Sequence, residues 1–247
     1  MALTKVTGAG LSNVDGPVGI GIDPDTISNG KAVQVNRTVI NDDDGGSLHI
    51  AQNGYYNSAW KYVENGTAEK ITFASGAISF SNASSNSSGA DASLSWSEHM
   101  KIDANGHVTM PNQSAFNATN NGTQSNIATG SQVTVALGTE RFDVNADFAS
   151  DTFTAPVTGK YQLNAFIRFD NLDSAAHYYE LKILTSNSGY GVILDPDFGQ
   201  DQSYFNMSLA VLADMDASDT AKVELRQEGG TAQTDILDAR FSGALVC

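Results

Sequence analysis

The sequence predicts an all-β protein, and three observations carry that reading. Residues 161–169 alternate, with Tyr161, Leu163, Ala165, Ile167 and Phe169 set against Gln162, Asn164, Phe166 and Arg168. That is the period of two of a strand long enough to lie centrally in a sandwich, with Phe166 as its one aromatic exception. Turn signals such as Asn53-Gly54, Asn65-Gly66, Asn105-Gly106 and Gly229-Gly230 recur at short intervals. Charged residues make up only 17% of the chain against 40% hydrophobic, and no long amphipathic helix is legible. A surface built from Ser, Thr, Asn and Gln suits flat sheets, whereas helical bundles favour Glu and Lys.

Residues 1–30 are punctuated by Gly8, Gly10, Gly16, Pro17, Gly19, Gly21, Pro24 and Gly30, and read as an extended N-terminal arm that a partner would order. Residues 31–110 read as a short-stranded β stalk region. Val33, Val35, Val39 and Ile40 precede the turn chemistry of residues 41–46, and Leu48 and Ile50 lead to a hairpin at Asn53-Gly54. Ile71, Phe73, Ile78 and Phe80 alternate around Gly76. Residues 81–93 hold nothing apolar larger than Ala and predict a loop, while residues 100–110 predict a hairpin across Asn105-Gly106. Such a sparse apolar inventory predicts a core shared among identical chains.

Residues 111–247, beyond Pro111, carry early strand candidates around Phe116, Val133, Val135, Phe142 and Phe153. Longer ones follow at 161–169, 178–184, 190–194, 204–212, 221–225 and 236–246. Strands at this spacing indicate a sandwich or jelly roll. Pro156 lacks a ladder N–H and suits a strand end, and Gly159 suits the turn that opens the next strand.

The chain of 247 residues has 13 basic and 28 acidic side chains, a net charge of −15. Counterion displacement from a duplex needs clustered Lys and Arg, so nucleic acid is not an expected partner. No apolar run approaches the ~20 residues of a membrane span, and no secretory leader is expected from the N-terminal residues. Cys247 is the single cysteine, which excludes an intrachain disulfide.

Catalytic chemistry finds little support. His49, His99, His107 and His177 are scattered without ligand spacing, and neither a nucleophile elbow nor a phosphate-cradling loop occurs. The carboxylate clusters 42–44, 195–201 and 214–219 fall in turns, where Asp favours local backbone hydrogen bonds. No cofactor is expected. Calcium alone stays in view, because Asp195 with Asp197, and Asp214 with Asp216 and Asp219, offer the clustered oxygens that hard cations take.

Two parts of the chain are familiar. Ser114-Ala115-Phe116, Phe153-Thr154-Ala155-Pro156, Gly159-Lys160-Tyr161, Phe205-Asn206-Met207-Ser208 and Phe241-Ser242-Gly243-Ala244-Leu245 together resemble the C1q/TNF-like jelly-roll family. The resemblance implies a ten-stranded jelly roll that trimerises through apolar faces, with Phe153, Pro156, Gly159, Tyr161, Phe241 and Gly243 as its structural signature. Asn57-Ser58-Ala59-Trp60-Lys61-Tyr62, Asn65-Gly66-Thr67-Ala68, residues 100–108 and Val18-Gly19-Ile20-Gly21-Ile22 resemble segments of phage tail-fibre and related appendage proteins. Met110-Pro111-Asn112-Gln113 resembles the join found there between a slender stalk and a C1q-like tip.

The resemblances imply a non-enzymatic homotrimeric virion appendage. Its arm would dock to other virion proteins, and its tip would bind a host surface glycan or protein. The loops expected to touch the receptor are 170–176, 186–190 and 195–203, with Asn171, Asp173, His177, Asn187, Tyr190 and Asp197 as candidate contacts. Further readings are a capsid-decorating head fibre, a glycan-cleaving depolymerase, which would need a longer β-helical groove, and a cellular C1q-like lectin.

Overall fold

A computed structural model describes residues 17–247 apart from positions 21, 23, 29 and 44. Among these residues the chain is all-β, with one 3-10 turn at Val144–Ala146 and no α-helix. It divides into two compact units, Met1–Pro111 and Asn112–Cys247. Most of the expected arm lies outside the described residues.

The strands of the first unit are β1 (Val18–Ile20), β2 (Lys31–Val35), β3 (Thr38–Asp42), β4 (Ser47–Gln52), β5 (Gly54–Tyr56), β6 (Trp60–Tyr62), β7 (Gly66–Ala74), β8 (Ala77–Asn86), β9 (Ser97–Ile102) and β10 (Val108–Thr109). Eight of them form one sheet in the order β1-β2-β3-β4-β7-β8-β9-β10, parallel only between β1 and β2. Local chemistry fixes the turns. Ser75 and Gly76 both have positive φ, 52° and 77°, the backbone a two-residue hairpin needs to match strand twist. The Asp43 carboxylate accepts the N–H groups of Gly45 and Ser47, and Asp103 does the same for Asn105 and His107.

Two sequence expectations are corrected here. Asn53-Gly54 does not close a hairpin, because β4 pairs with β7. At Asn53 (φ 58°) the chain leaves the sheet for the β5–β6 ribbon. Asn53 is 0% exposed; its amide donates to the carbonyls of Glu64 and Thr67 and accepts from the Glu64 N–H, pinning both ends of the excursion. Nor are residues 81–93 all loop, since β8 runs on to Asn86, paired with β7 and β9. Small side chains suit this stretch because Ala68 and Ala83 sit opposite each other under Tyr62, and ladder bonding needs no bulk.

In the second unit the strands are β11 (Ala115–Thr119), β12 (Gln132–Thr134), β13 (Thr139–Asp143), β14 (Phe148–Ala149), β15 (Thr152–Thr154), β16 (Gly159–Leu172), β17 (Ala176–Thr185), β18 (Gly189–Leu194), β19 (Gln202–Met215), β20 (Thr220–Gly229) and β21 (Asp235–Leu245). One sheet runs β13-β11-β21-β16-β19 and the other β14-β15-β20-β17-β18, with β12 also on β20. From β16 onward the chain passes from the first sheet to the second for β17 and β18, returns for β19, crosses for β20 and returns for β21. That alternation is the jelly-roll path.

β16 occupies the interior position the alternation predicts, flanked by β19 and β21, with Tyr161, Leu163, Ala165, Ile167 and Phe169 all buried. The core between the sheets is aromatic. Phe116 stacks on Phe153 at 4.7 Å and on Phe148 at 5.1 Å, and meets Phe241 edge-on at 5.0 Å. The Tyr161 hydroxyl reaches back 2.7 Å to the Val157 carbonyl and so ties the turn that holds Pro156. Gly159 lies against the chain end, where an added Cβ would come within 2.6 Å of the Cys247 carbonyl oxygen.

Gly243 has no room for a side chain, because a Cβ there would lie 2.6 Å from Leu163 Cδ2 and 2.7 Å from Phe116 Cε1. Gly243→Ala is therefore expected to destabilise the second unit by about 1–3 kcal/mol, the cost of overpacking a filled core. The check is a lowered denaturant midpoint at unchanged slope.

Candidate functional site

The six candidate contact residues lie at both ends of the sandwich. Asn171, Asp173, His177 and Asp197 belong to the end where the β16–β17 and β20–β21 turns and the β18–β19 loop meet. Asn187 belongs to the opposite end, where its amide donates to Asp219 at 2.5 Å. Tyr190 pairs with Ile183 and packs on the core. β17 spans ten residues between the two ends, about 30 Å at strand rise, so one compact ligand does not reach both groups.

Asp173 is the keystone of its end rather than a contact surface, being only 1% exposed. Its carboxylate accepts the backbone N–H groups of Ala175, Thr231 and Ala232 at 2.8, 2.5 and 2.7 Å, which joins two turns. The Tyr179 hydroxyl accepts the Asp173 N–H and donates to its carbonyl; burial pushes this phenol up to about 12. Ser174 donates through its N–H and Oγ to Asp201 and brings in the third loop. Asn171, His177 and Asp197 stand exposed on this frame. Gly229 is seated against the His177 ring, 3.2 Å from where its Cβ would be.

Of the carboxylates weighed for calcium, those of the 214–219 group are engaged elsewhere, while Asp195 and Asp197 stand exposed. Asp214 pairs with Lys160 at 2.5 Å, Asp216 accepts from Thr158, and Asp219 accepts from Asn187 and the Asp216 N–H. No group of three or more His, Cys, Asp or Glu placed to hold a metal occurs among the described residues.

Sequence reasoning missed two features of the first unit. The first is a pair of apolar rows on one sheet face. Strand register lines up Val18, Val33, Ile40, Ile50, Ile71, Phe80 and Met100 from β1 to β9. It likewise lines up Leu48, Phe73, Ile78, Ile102 and Val108 from β4 to β10. Val33, Ile40, Ile50, Phe73, Phe80 and Val108 are 36% to 52% exposed. The period-two pattern was legible, but that neighbouring strands bring these positions into continuous rows was not.

The second is a cleft of about 200 Å³ on the opposite face, lined by Asn41, Asp43, His49, Tyr56 and Trp60. Register places Asn41 beside His49 and His49 beside Thr72, and the β5–β6 ribbon brings Tyr56 and Trp60 over them. His49 Nε2 lies 3.5 Å from Asp43 Oδ2, and Nδ1 lies 3.1 Å from Thr72 Oγ1. Burial, helped by the Lys70 charge, lowers the His49 pKa and keeps the ring neutral near pH 7. Lys70 sits 4.4 Å over Trp60 and 4.7 Å over Trp96; burial pushes its ammonium down to about 8.

No protein-family model matches the chain, and no curated protein matches it. Solved structures similar to it include the globular domain of zebrafish complement 1qA protein, at 20% identity and a TM-score of 0.41 over 55% of this chain and 98% of that one. Murine APRIL is similar at 12% identity and a TM-score of 0.39, over 53% of this chain and 98% of the other. The PRD1 vertex protein P5 is similar at 14% identity and a TM-score of 0.37, over 55% and 98%. The strand path itself defines the class: an all-β chain whose second unit is a jelly-roll sandwich.

Burial raises the Asp173 pKa, but the N–H groups of Ala232, Ala175 and Thr231 outweigh it and hold the carboxyl below its ordinary value. A depressed folded-state pKa contributes stability above the unfolded value and loses it as pH falls through the folded one. Asp173→Asn, which turns an amide donor toward N–H groups, is expected to cost about 1–3 kcal/mol at pH 7. It should also flatten the loss of stability on acidification below about pH 4. Urea titrations at pH 3 and pH 7 check both.

Proposed function

We propose that this chain is the protomer of a homotrimeric virion appendage that attaches the particle to a host cell surface. The observation that carries this reading is the uncovered face of the eight-stranded sheet. One side of that sheet is covered within the chain by Tyr55, Tyr62, Trp60, Leu94 and Trp96. The other presents the two aliphatic and aromatic rows to solvent.

From β1 to β9 the first row crosses a sheet about 30 Å wide at ordinary strand spacing. The patch is of the size at which a monomer's surface normally signals an interface, about 300–600 Å². Covering about 400 Å² of it would contribute roughly 10 kcal/mol per chain before the cost of association. Copies of this chain are the occupant we favour. The rows are uncharged, so two of them meet without the repulsion a chain of net charge −15 would otherwise feel.

Three copies sharing that face would cover the side of the sheet that the first unit's own small core leaves open. They would also carry three jelly-roll units, whose exposed loop residues Asn171, His177 and Asp197 would act in parallel. Multivalency of this kind raises avidity without tight individual contacts. Attachment to tail or capsid would be the task of the N-terminal residues.

Light scattering on the full chain is expected to give about three times the protomer mass of 26.0 kDa. Ile50→Asp with Phe80→Asp is expected to reduce it to the protomer mass, because each buries an unpaired charge at the shared face. A stable 26.0 kDa species for the unaltered chain would remove the trimer and the avidity mechanism together. Immunogold labelling of particles with antibody to this chain would separate tail from capsid placement.

A further inference from the structure

We infer that the cleft between Tyr56, Trp60, Asn41, Asp43 and His49 is a saccharide-binding site that takes one neutral pyranose residue of a surface glycan. The walls and the floor differ in character. Two aromatic rings, Tyr56 and Trp60, stand 5.7 Å apart edge to face on the ribbon side. A carboxylate, an amide and an imidazole stand on the sheet side. A pyranose has the matching division, with C–H groups on its ring faces and hydroxyls around its rim. Pockets for small ligands pair apolar walls with a few placed polar groups in this way.

Size sets the ligand at one ring. The cleft holds about 200 Å³, below the roughly 300–1,000 Å³ typical of drug-sized ligands. Asn41 and His49 are engaged with Lys31, Asp43 and Thr72, and Asp43 is set to accept a hydrogen bond from a hydroxyl. Asp43 Oδ1 is occupied by the N–H groups of Gly45 and Ser47. Oδ2 faces His49 at 3.5 Å, leaving lone pairs for a sugar hydroxyl. Backbone hydrogen bonding from Ser47 leads the effects that keep this carboxyl ionised, against the opposing pull of burial.

Charge sets the ligand as neutral. His49 adds no positive charge at neutral pH, and Lys70 is held between the two indoles. Asp43 and a chain charge of −15 both disfavour uronates and sialic acids. The aromatic wall is preorganised, since Trp60 is fixed by Lys70, by His49 at 5.2 Å and by Trp96 at 5.4 Å, so little side-chain freedom is lost on binding. The cleft opens on the sheet face opposite the two apolar rows and is complete within one chain. It therefore does not depend on the trimer.

The test uses the full chain and the methyl glycosides of glucose, galactose, mannose, N-acetylglucosamine and N-acetylgalactosamine, with glucuronate and N-acetylneuraminate as anionic counterparts. Saturation-transfer NMR reads contact, and the fluorescence of the two tryptophans reads affinity. At least one neutral glycoside is expected to bind saturably and in preference to the anionic sugars. Asp43→Asn keeps an acceptor for the turn and removes the charge, while Tyr56→Ala removes one wall. Each is expected to weaken binding about tenfold or more, as loss of a hydrogen bond to a charged group does, with the melting temperature held within a few degrees. The doubly substituted Ile50→Asp, Phe80→Asp chain is expected to bind as well as the unaltered one, which separates this site from the fate of the trimer. Absence of binding by every neutral glycoside would overturn the inference. So would affinity unchanged in both cleft variants, or preference for an anionic sugar.

Discussion

A β-strand sends alternate side chains to opposite faces, so every sheet has two faces to cover. The two units of this chain meet that constraint differently. In the jelly-roll unit the inward residues of β11, β16, β19 and β21 meet those of β15, β17 and β20, and one aromatic core serves both sheets. In the first unit a single sheet covers one face with a short ribbon of its own chain and leaves the other open among the described residues of that unit. The two apolar rows and the opposed cleft are the two sides of that one arrangement.

Buried polar residues do the closing work that apolar packing cannot do at chain reversals. Asn53 and Asp173 are alike in this. Each is sealed from water: Asn53 pairs backbone groups of Glu64 and Thr67 where the chain returns, and Asp173 pairs those of Ala175 and of Thr231 and Ala232 in two separate turns. A buried N–H without a partner costs as much as a lost hydrogen bond, so one correctly placed amide or carboxylate fixes the path of several residues. Tyr161 and Tyr179 act in the same way through their hydroxyls, which bond to the Val157 and Asp173 carbonyls while their rings fill the core.

The same economy fits the abundance of acidic residues without a metal-holding cluster among the described residues. Asp43, Asp103, Asp173 and Asp219 each accept backbone N–H groups in turns. In the cleft such a turn carboxylate, Asp43, lies beside a register-aligned imidazole under an aromatic ribbon.

The sequence alone determined the all-β class, the central strand at 161–169 and the hairpin at Asn105-Gly106, because alternation and turn chemistry are local properties. Tyr161 was legible as an inward position for the same reason, whereas Phe153 and Phe241 stood out only through the resemblance to the jelly-roll signature. Other matters were decided by pairing between strands distant in sequence, which periodicity does not encode. These include the continuation of β8 through a run of serines, the departure of the chain at Asn53, the burial of Asp173 and the separation of Asn187 from Asn171 along the length of β17. The apolar rows needed the register of successive strands, and the cleft needed β3, β4 and β7 side by side with the ribbon folded back on them. Each residue type was visible in the chain, but only the tertiary structure set which of them would meet.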